Sequence, residues 1–405
     1  MKLSMKFLVA KMISKARHRR PKQRRLRKRT EISREDSMGC LPEELILAIL
    51  VRVPVKYLLQ FKCVSKNWFN LISSPEFVKT HLGFSANDYT RHMSLLQYNA
   101  LSTEIKYCYV TSLFHEPVIE ALDLYCPMKN TPQSVQISGS VNGLVCLSDG
   151  FGRLVLWNPS IRKFKNVFGF LPTQMGSAWF KSGFGYDEVH DDYKVVGIFS
   201  NMVKAHFEAV IYSLKRDSCT TLEDFKPGVS YCGDAKFVHR KLHWITYRRR
   251  GWGISSIDLV EEKWGKLELP SHNEAQELKL GVLQGDLSFL SRNDERNHSD
   301  VWVMKEYGVK ASWTKLYTIR YPENYKLVTP LFTYSKGEIL LAFKSTLAIY
   351  DPKNDSITYP TVTNVELTDS ITHAKYNVDV TSDYSIVEAE ICIESLVCPD
   401  LPNKY

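Results

Sequence analysis

The chain has 405 residues, 44% of them hydrophobic and 24% charged, a length that calls for two or three domains and a composition that builds a core rather than a disordered coil. Its net charge of +9 does not belong to the folded body: residues 1–30 hold 13 Lys/Arg and no acid, which leaves 40 bases against 44 acids elsewhere, a balance of −4. The longest apolar run near the N-terminus, Leu45 to Val51, is seven residues, against roughly 20 needed to cross a bilayer, so no membrane partner is expected.

Residues 1–37 carry no sustained apolar face. The block Arg19, Arg20, Lys22, Arg24, Arg25, Arg27, Lys28 and Arg29 should repel itself into an extended tail. It reads as a nuclear localisation signal or nucleic-acid contact, with a solvated extension, a start codon placed upstream of Met38, and an organelle transit peptide as alternatives. Lysines interrupt Met5 to Lys11 before a secretory signal can form. The nine cysteines are odd in number, scattered and without a C-x-x-C pair, as expected for small core residues in a reducing compartment.

Short helices follow from Leu41 to Leu82. Pro42 and Glu43-Glu44 suit a helix start, predicting a helix over Glu43 to Val51 that ends at Val53-Pro54. A second is expected from Val55 to about Cys63. Ser65 can cap a third bearing Trp68, Leu71 and Ile72, and Ser74-Pro75-Glu76 opens a fourth turn with Phe77 and Val78. About 45 residues bury too little surface for a dry core of their own, so leftover apolar faces should meet a partner. The string Leu41-Pro42-Glu43-Glu44-Leu45, Val53-Pro54-Val55-Lys56, Phe61-Lys62-Cys63-Val64-Ser65-Lys66-Asn67-Trp68 and Ile72-Ser73-Ser74-Pro75-Glu76-Phe77 resembles an F-box of the plant type. That resemblance implies docking on a Skp adaptor and, through it, on cullin and RING subunits. It assigns adaptor contact to Leu41, Pro42, Leu45, Ile46, Ile49, Val53, Pro54, Leu58, Leu59, Cys63, Val64 and Trp68, some of which must instead hold the module together.

Beyond residue 88 the chain is strand-like, with short runs rich in Val, Ile, Tyr, Phe and Trp between polar turns. One unit recurs, an apolar strand ending in an aromatic or polar mark and a charged turn, as in Leu156-Trp157-Asn158-Pro159-Ser160 and Ile349-Tyr350-Asp351-Pro352-Lys353. Taking residues 157, 212, 258, 302 and 350 as markers, the separations are 55, 46, 44 and 48, close to a four-stranded propeller blade of roughly 40–50 residues. Five to seven blades are expected, the last closing with strands from both ends; a β-sandwich is the alternative. Asn142-Gly143-Leu144-Val145-Cys146, Leu156-Trp157-Asn158-Pro159-Ser160, Phe184-Gly185-Tyr186-Asp187 and Asp191-Asp192-Tyr193-Lys194-Val195-Val196 resemble the F-box-associated domain of plant proteins over about 140 to 360. The Gly-Gly pair of kelch blades is absent from the sequence. The expected architecture is mainly β with a small α-helical N-terminal module: a basic tail (1–37), an F-box (38–83), a connection with first strands (84–130) and a propeller-like domain (131–400).

No nucleophile elbow, Walker loop, dinucleotide fingerprint or His-Glu-x-x-His occurs. Asp187, Glu188, His190, Asp191 and Asp192 read as a solvated hairpin turn, with a cation site as the alternative; His239 and His243 read as ordinary strand residues, and Trp157, Trp244, Trp264, Trp302 and Trp313 as blade-interface fillers rather than a ligand cage. Arg248, Arg249, Arg250 and Trp252 read as a solvated inter-strand loop or, alternatively, as a site able to hold an acidic or phosphorylated partner. The expected function is a non-catalytic substrate-recognition subunit of a Skp–cullin–F-box ubiquitin ligase in the nucleus and/or cytoplasm, binding an unknown target protein, with no catalytic residue, cofactor or metal. The alternatives are a propeller enzyme with a site in its central channel and a nuclear nucleic-acid binder using the tail.

Overall fold

The computed structural model describes residues 42–97, 103–129, 131, 135–167, 179–201, 206–223, 225, 229–248, 251–270, 277–293, 298–320, 327–334, 337–343, 347–365 and 388–400. The basic tail, Leu41, Arg249 and Arg250 lie outside them. The chain divides into two compact units, the first ending at Phe84 and the second beginning at Ser85.

The first unit is helical: α1 (Glu43–Leu50), α2 (Val55–Phe61), α3 (Lys66–Ser73) and α4 (Pro75–Ala86). Ser65 caps α3 by accepting from the Trp68 N–H at 3.2 Å, and Ser74 does the same for α4 through Phe77 N–H at 3.2 Å. The fourth element is a full helix of 12 residues where the sequence pointed only to a turn. Its inward residues explain why: Phe77 and His81 are buried, and His81 Nε2 lies 3.0 Å from the Val53 carbonyl at the α1–α2 corner.

The second unit is a ring of six four-stranded antiparallel sheets, so the sandwich alternative is excluded. Blade 2 holds Gln136–Val141, Leu144–Ser148, Leu154–Asn158 and Lys163–Val167, from the innermost strand outward. Blade 3 follows with Trp179–Asp187, Asp192–Asn201, His206–Ser213 and Ser218–Thr221, and blade 4 with Ser230–Val238, Lys241–Arg248, Gly251–Asp258 and Trp264–Leu267. Blade 5 comprises Glu277–Leu283, Asp286–Asn293, His298–Met304 and Trp313–Arg320; blade 6 comprises Leu327–Thr333, Ile339–Phe343, Leu347–Asp351 and Ser356–Thr358. Blade 1 joins both ends of the unit: Glu388–Ile393 is its innermost strand, and His92–Gln97, Ile105–Tyr109 and Leu122–Leu124 complete it. All five sequence markers fall on third strands. Blade 1 escaped that pattern because its third strand runs into a short helix, α5 (Val110–His115), and a parallel two-stranded pair, Val118–Glu120 with Thr361–Thr363.

Closure rests on six buried apolar clusters, one between each pair of neighbouring blades. Among them, Leu95, Val145 and Trp157 join blade 1 to blade 2, Leu280, Phe289 and Ile245 join blade 4 to blade 5, and Leu96, Cys108, Leu340 and Ile349 join blade 6 back to blade 1. Trp157 and Trp244 are fully buried in these seams and Trp313 nearly so, while Trp264 and Trp302 pack against them partly exposed. None of the eight described cysteines is in a disulfide, and burial pushes the Cys108 and Cys392 thiols up to about 12, the behaviour of inert core residues.

The recurring turn has one physical basis. Asn158, Asp187, Ser213, Asp258 and Asp351 each accept, through a side-chain oxygen, from the N–H two or three residues on, at 2.8–3.1 Å. Four residues after each stands a left-handed residue, Arg162, Asp191, Asp217, Glu262 and Asp355, with φ between 47° and 57°. The hairpin at Asp187 is the solvated turn its composition implied at its tip, Glu188 to Asp191, but not at the strand ends that flank it. Asp187 and Asp192 are 0% and 4% exposed, the latter accepting from the Lys215 N–H at 2.8 Å, while Glu188, Val189, His190 and Asp191 face water. Burial works against the Asp187 carboxylate, but bonds from the His190 backbone and ring and from Lys194 outweigh it and hold Asp187 below the usual range.

Candidate functional site

In the helical unit the residues expected at a protein contact divide by burial. Val53 and Leu58 are 3% and 0% exposed and form the module's own core with Val55, Phe61 and Ile72, so they are not available to a partner. Ile46, Ile49, Pro54, Leu59 and Trp68 are half-buried, and Pro42, Leu45, Cys63 and Val64 are exposed. Two further exposed side chains, Leu47 and Phe69, belong with them and were missed by the sequence reading. The signal for Phe69 was the Trp68-Phe69 pair: neighbours on a helix point about 100° apart, so only one of them can face inward. Trp68 takes that place, edge-on to Phe61 at 5.4 Å, and Phe69 is turned out with the Lys62 ammonium 5.9 Å over its ring. Leu45, Leu47, Val64 and Phe69 thus give this small unit a dense display of exposed large apolar side chains.

The propeller offers a cleft of about 740 Å³ lined by Val141, Asn142, Tyr186, Glu188, Phe237, His239, Arg240, Lys241 and Tyr307. The turns that follow the inner strands of blades 2, 3 and 4 meet there, joined by the loop after the third strand of blade 5. Tyr307 is its best-fixed wall. The buried His243 has Nδ1 3.2 Å from the Lys236 carbonyl and Nε2 2.7 Å from the Tyr307 hydroxyl. Burial lowers His243 to about 4, so at neutral pH Nδ1–H donates to Lys236 and Nε2 accepts from Tyr307. Burial likewise pushes the Tyr307 phenol up to about 12. The Tyr307 ring lies 4.9 Å from His239 and the Lys241 ammonium stands 5.9 Å from its centroid. His239 and His243 are therefore not two strand residues on one face: His239 sits in a turn and His243 in the seam, sharing Tyr307.

Arg248 ends the second strand of blade 4 and pairs in register with Gly251, at the opposite end of that strand from Lys241 and the cleft. Trp252 is half-buried, its ring 4.9 Å from the exposed Tyr247.

At the centre of the ring, Lys236 Nζ on the inner strand of blade 4 meets Glu390 Oε2 on the inner strand of blade 1 at 3.2 Å. Blades 1 and 4 face each other across a ring of six, so this pair spans the channel. Among the described residues no group of three or more His, Cys, Asp or Glu is placed to hold a metal ion.

Comparison with known proteins follows the same division. A family model described as the F-box associated beta propeller domain matches residues 91–397, and an F-box domain model matches residues 38–80. Similar chains occur in Arabidopsis thaliana. The F-box/kelch-repeat protein At3g23880 is 31% identical over 340 residues, 79% of this chain and 90% of that protein. F-box protein CPR1 is 28% identical over 353 residues, covering 77% of this chain and 82% of its own. F-box/WD-40 repeat-containing protein 1 is 27% identical over 318 residues, 71% of each chain.

Proposed function

The chain belongs to the F-box proteins that carry an F-box associated β-propeller, and from that premise we propose that it is the substrate-recognition subunit of a Skp–cullin–F-box ubiquitin ligase. The observation that carries the reading is the pairing, on one chain, of a helical unit with Leu45, Leu47, Val64 and Phe69 exposed and a separately closed ring with a polar, aromatic cleft. The helical unit docks on the Skp adaptor, which supplies the apolar cover that a module of this size cannot provide for itself. The propeller holds the target protein.

In this reading the chain makes and breaks no bonds. A RING subunit, reached through the adaptor and cullin, brings the charged conjugating enzyme, and the chain's contribution is to hold the target near it, raising the effective concentration of the target's lysines. The closed packing of the ring supports that role. The Lys236–Glu390 pair ties opposite blades together across the channel.

The test is copurification of the tagged full chain from plant cells, followed by reconstitution with purified Skp adaptor. Recovery of adaptor and cullin in stoichiometric amount is expected. Failure of the purified, folded chain to bind any Skp adaptor would overturn the assignment.

A further inference from the structure

Among the described residues, three blades make their first turn with two consecutive left-handed residues, and the comparison among them singles out one. Blade 2 uses Asn142-Gly143, with φ 54° and 78°, and blade 5 uses Gln284-Gly285, with φ 55° and 88°. Glycine takes the second position in both, where a Cβ is sterically costly. Blade 4 adopts the same geometry with His239-Arg240, at φ 49° and 65°. An arginine thus stands where the other two turns have glycine, and its side chain gains little from its neighbours. Its guanidinium is half exposed, and its ion pair with Glu188 runs through Nε at 3.7 Å, longer than a hydrogen bond, to a carboxylate that is itself 62% exposed. The Arg240 carbonyl accepts from the Leu259 N–H at 3.1 Å and so serves the blade, but its side chain is loosely held and faces the cleft, where it is placed for a ligand.

The groups around it define that ligand. Arg240 and Lys241 bring two adjacent cations to the rim, and Tyr186, Phe237 and Tyr307 give an aromatic floor. Of the carboxylates nearby, Asp258 is engaged by the N–H groups of Val260 and Glu261 and by Lys241 at 3.4 Å, and Asp191 accepts from the Tyr186 hydroxyl. Glu188 is 62% exposed and 3.7 Å from Arg240, an internal anion in the position an external anion would take.

We propose that this cleft takes a short acidic peptide segment of the target, its carboxylate or phosphate displacing Glu188 from Arg240 and meeting Lys241, with neighbouring apolar or aromatic side chains on the Tyr186, Phe237 and Tyr307 rings. The volume of about 740 Å³ suits three or four peptide side chains rather than a whole protein surface. The arginine fork gives bidentate recognition of either oxyanion. The inference rests on the ligase reading for the word target and on the cleft geometry for everything else.

The experiment screens the full chain, purified with its Skp adaptor, against an array of random 12-residue peptides made with and without phosphoserine. Selection of Asp and Glu identifies a carboxylate segment; selection confined to phosphoserine identifies a phosphate; either supports the site. Arg240→Gly and Lys241→Ser should each weaken the selected peptides at least tenfold, while Glu188→Gln should tighten them several-fold. Arg240→Gly should at the same time raise the melting temperature by about 2 °C, since it relieves the turn, so its loss of binding is not a loss of folding. Absence of acidic selection, or selected peptides whose affinity ignores all three variants, overturns the inference. Adaptor retention in the same samples separates the two readings: retained adaptor without acidic selection sinks the cleft alone, and absent adaptor sinks the ligase assignment.

Discussion

Asn158 should be the most sensitive polar residue of the ring, because it ties the C-terminal segment that follows the closing strand. Its two Nδ2 protons are shared among the Val397 carbonyl at 2.7 Å and the Ser395 carbonyl and hydroxyl, both at 3.1 Å, while Oδ1 accepts from the Ser160 N–H at 2.8 Å. The side chain is fully buried. Asn158→Ala removes about three hydrogen bonds worth about 1 kcal/mol each and strands buried carbonyls, for a loss of about 3–4 kcal/mol. At about 2 °C per kcal/mol for a domain of this size, the melting temperature should fall by about 6–8 °C. Asn158→Asp keeps the shape and the turn acceptor but aims a buried anion at two carbonyl oxygens, so it should be worse than alanine, the reverse of an ordinary conservative change. The assay is thermal unfolding by circular dichroism, with limited proteolysis reporting early release of the segment around residues 395–400. Both variants melting within 2 °C of the wild type, or aspartate proving milder than alanine, would refute the latch.

Leu45 and Phe69 are 50% and 52% exposed, together about one full side chain of apolar surface; truncating both to Ala should remove about 1.5–3 kcal/mol of adaptor binding, roughly 10- to 100-fold in Kd by calorimetry, with circular dichroism unchanged. His243 is neutral when folded, with its pKa lowered to about 4 by burial, whereas the unfolded chain protonates near 6.5; its contribution is whole above pH 6.5 and shrinks as pH falls toward 4, by up to about 3 kcal/mol, so melting temperature should drop between pH 7 and 5 and drop less in His243→Gln. Replacing Arg248, Arg249 and Arg250 by Ser should leave stability within about 0.5 kcal/mol and, since Arg248 lies at the far end of its strand from the cleft, leave acidic-peptide binding unchanged; tenfold weaker peptide binding would move the site to that face. Deleting residues 1–37 should preserve adaptor binding and reduce the nuclear signal of a fluorescent fusion, an unchanged distribution removing the localisation reading.

The repeat was legible because its cause is local. An Asn, Asp or Ser that caps its own turn, followed four residues later by a left-handed residue, is a property of five consecutive residues, and it left a countable mark on blades 2, 3, 4 and 6. Blade 5 was faint in sequence for a physical reason: its third strand ends at Met304, and a longer loop with a short 3-10 turn leads to Trp313. What could not be read locally was the purpose of the strongest motif. In Asn142-Gly143-Leu144-Val145-Cys146 and Leu156-Trp157-Asn158-Pro159-Ser160, Gly143 and Asn158 look like turn residues of blade 2. Yet a Cβ on Gly143 would stand 2.5 Å from the Ile393 carbonyl and 2.3 Å from Ser395 Oγ, and Asn158 holds Ser395 and Val397. Both serve a segment some 240 residues away, the one that closes the ring through blade 1.

The same separation explains the limits at the candidate cleft. His239, Arg240, Tyr307 and Glu188 come from three different blades, and each is unremarkable in its own stretch of chain. His239-Arg240 could be recognised as unusual only once its turn was seen to share its backbone geometry with two glycine-containing turns, because strain is a comparison between a residue and a conformation and a sequence supplies only the residue. The helical unit presents the converse case. Its apolar residues were identified from periodicity, but which of them face inward depends on α4, whose Phe77 and His81 pack beneath the α1–α2 corner and commit Val53 and Leu58 to the interior. What is left outside is set by that packing, and Leu45, Leu47, Val64 and Phe69 are the large apolar residues it leaves exposed.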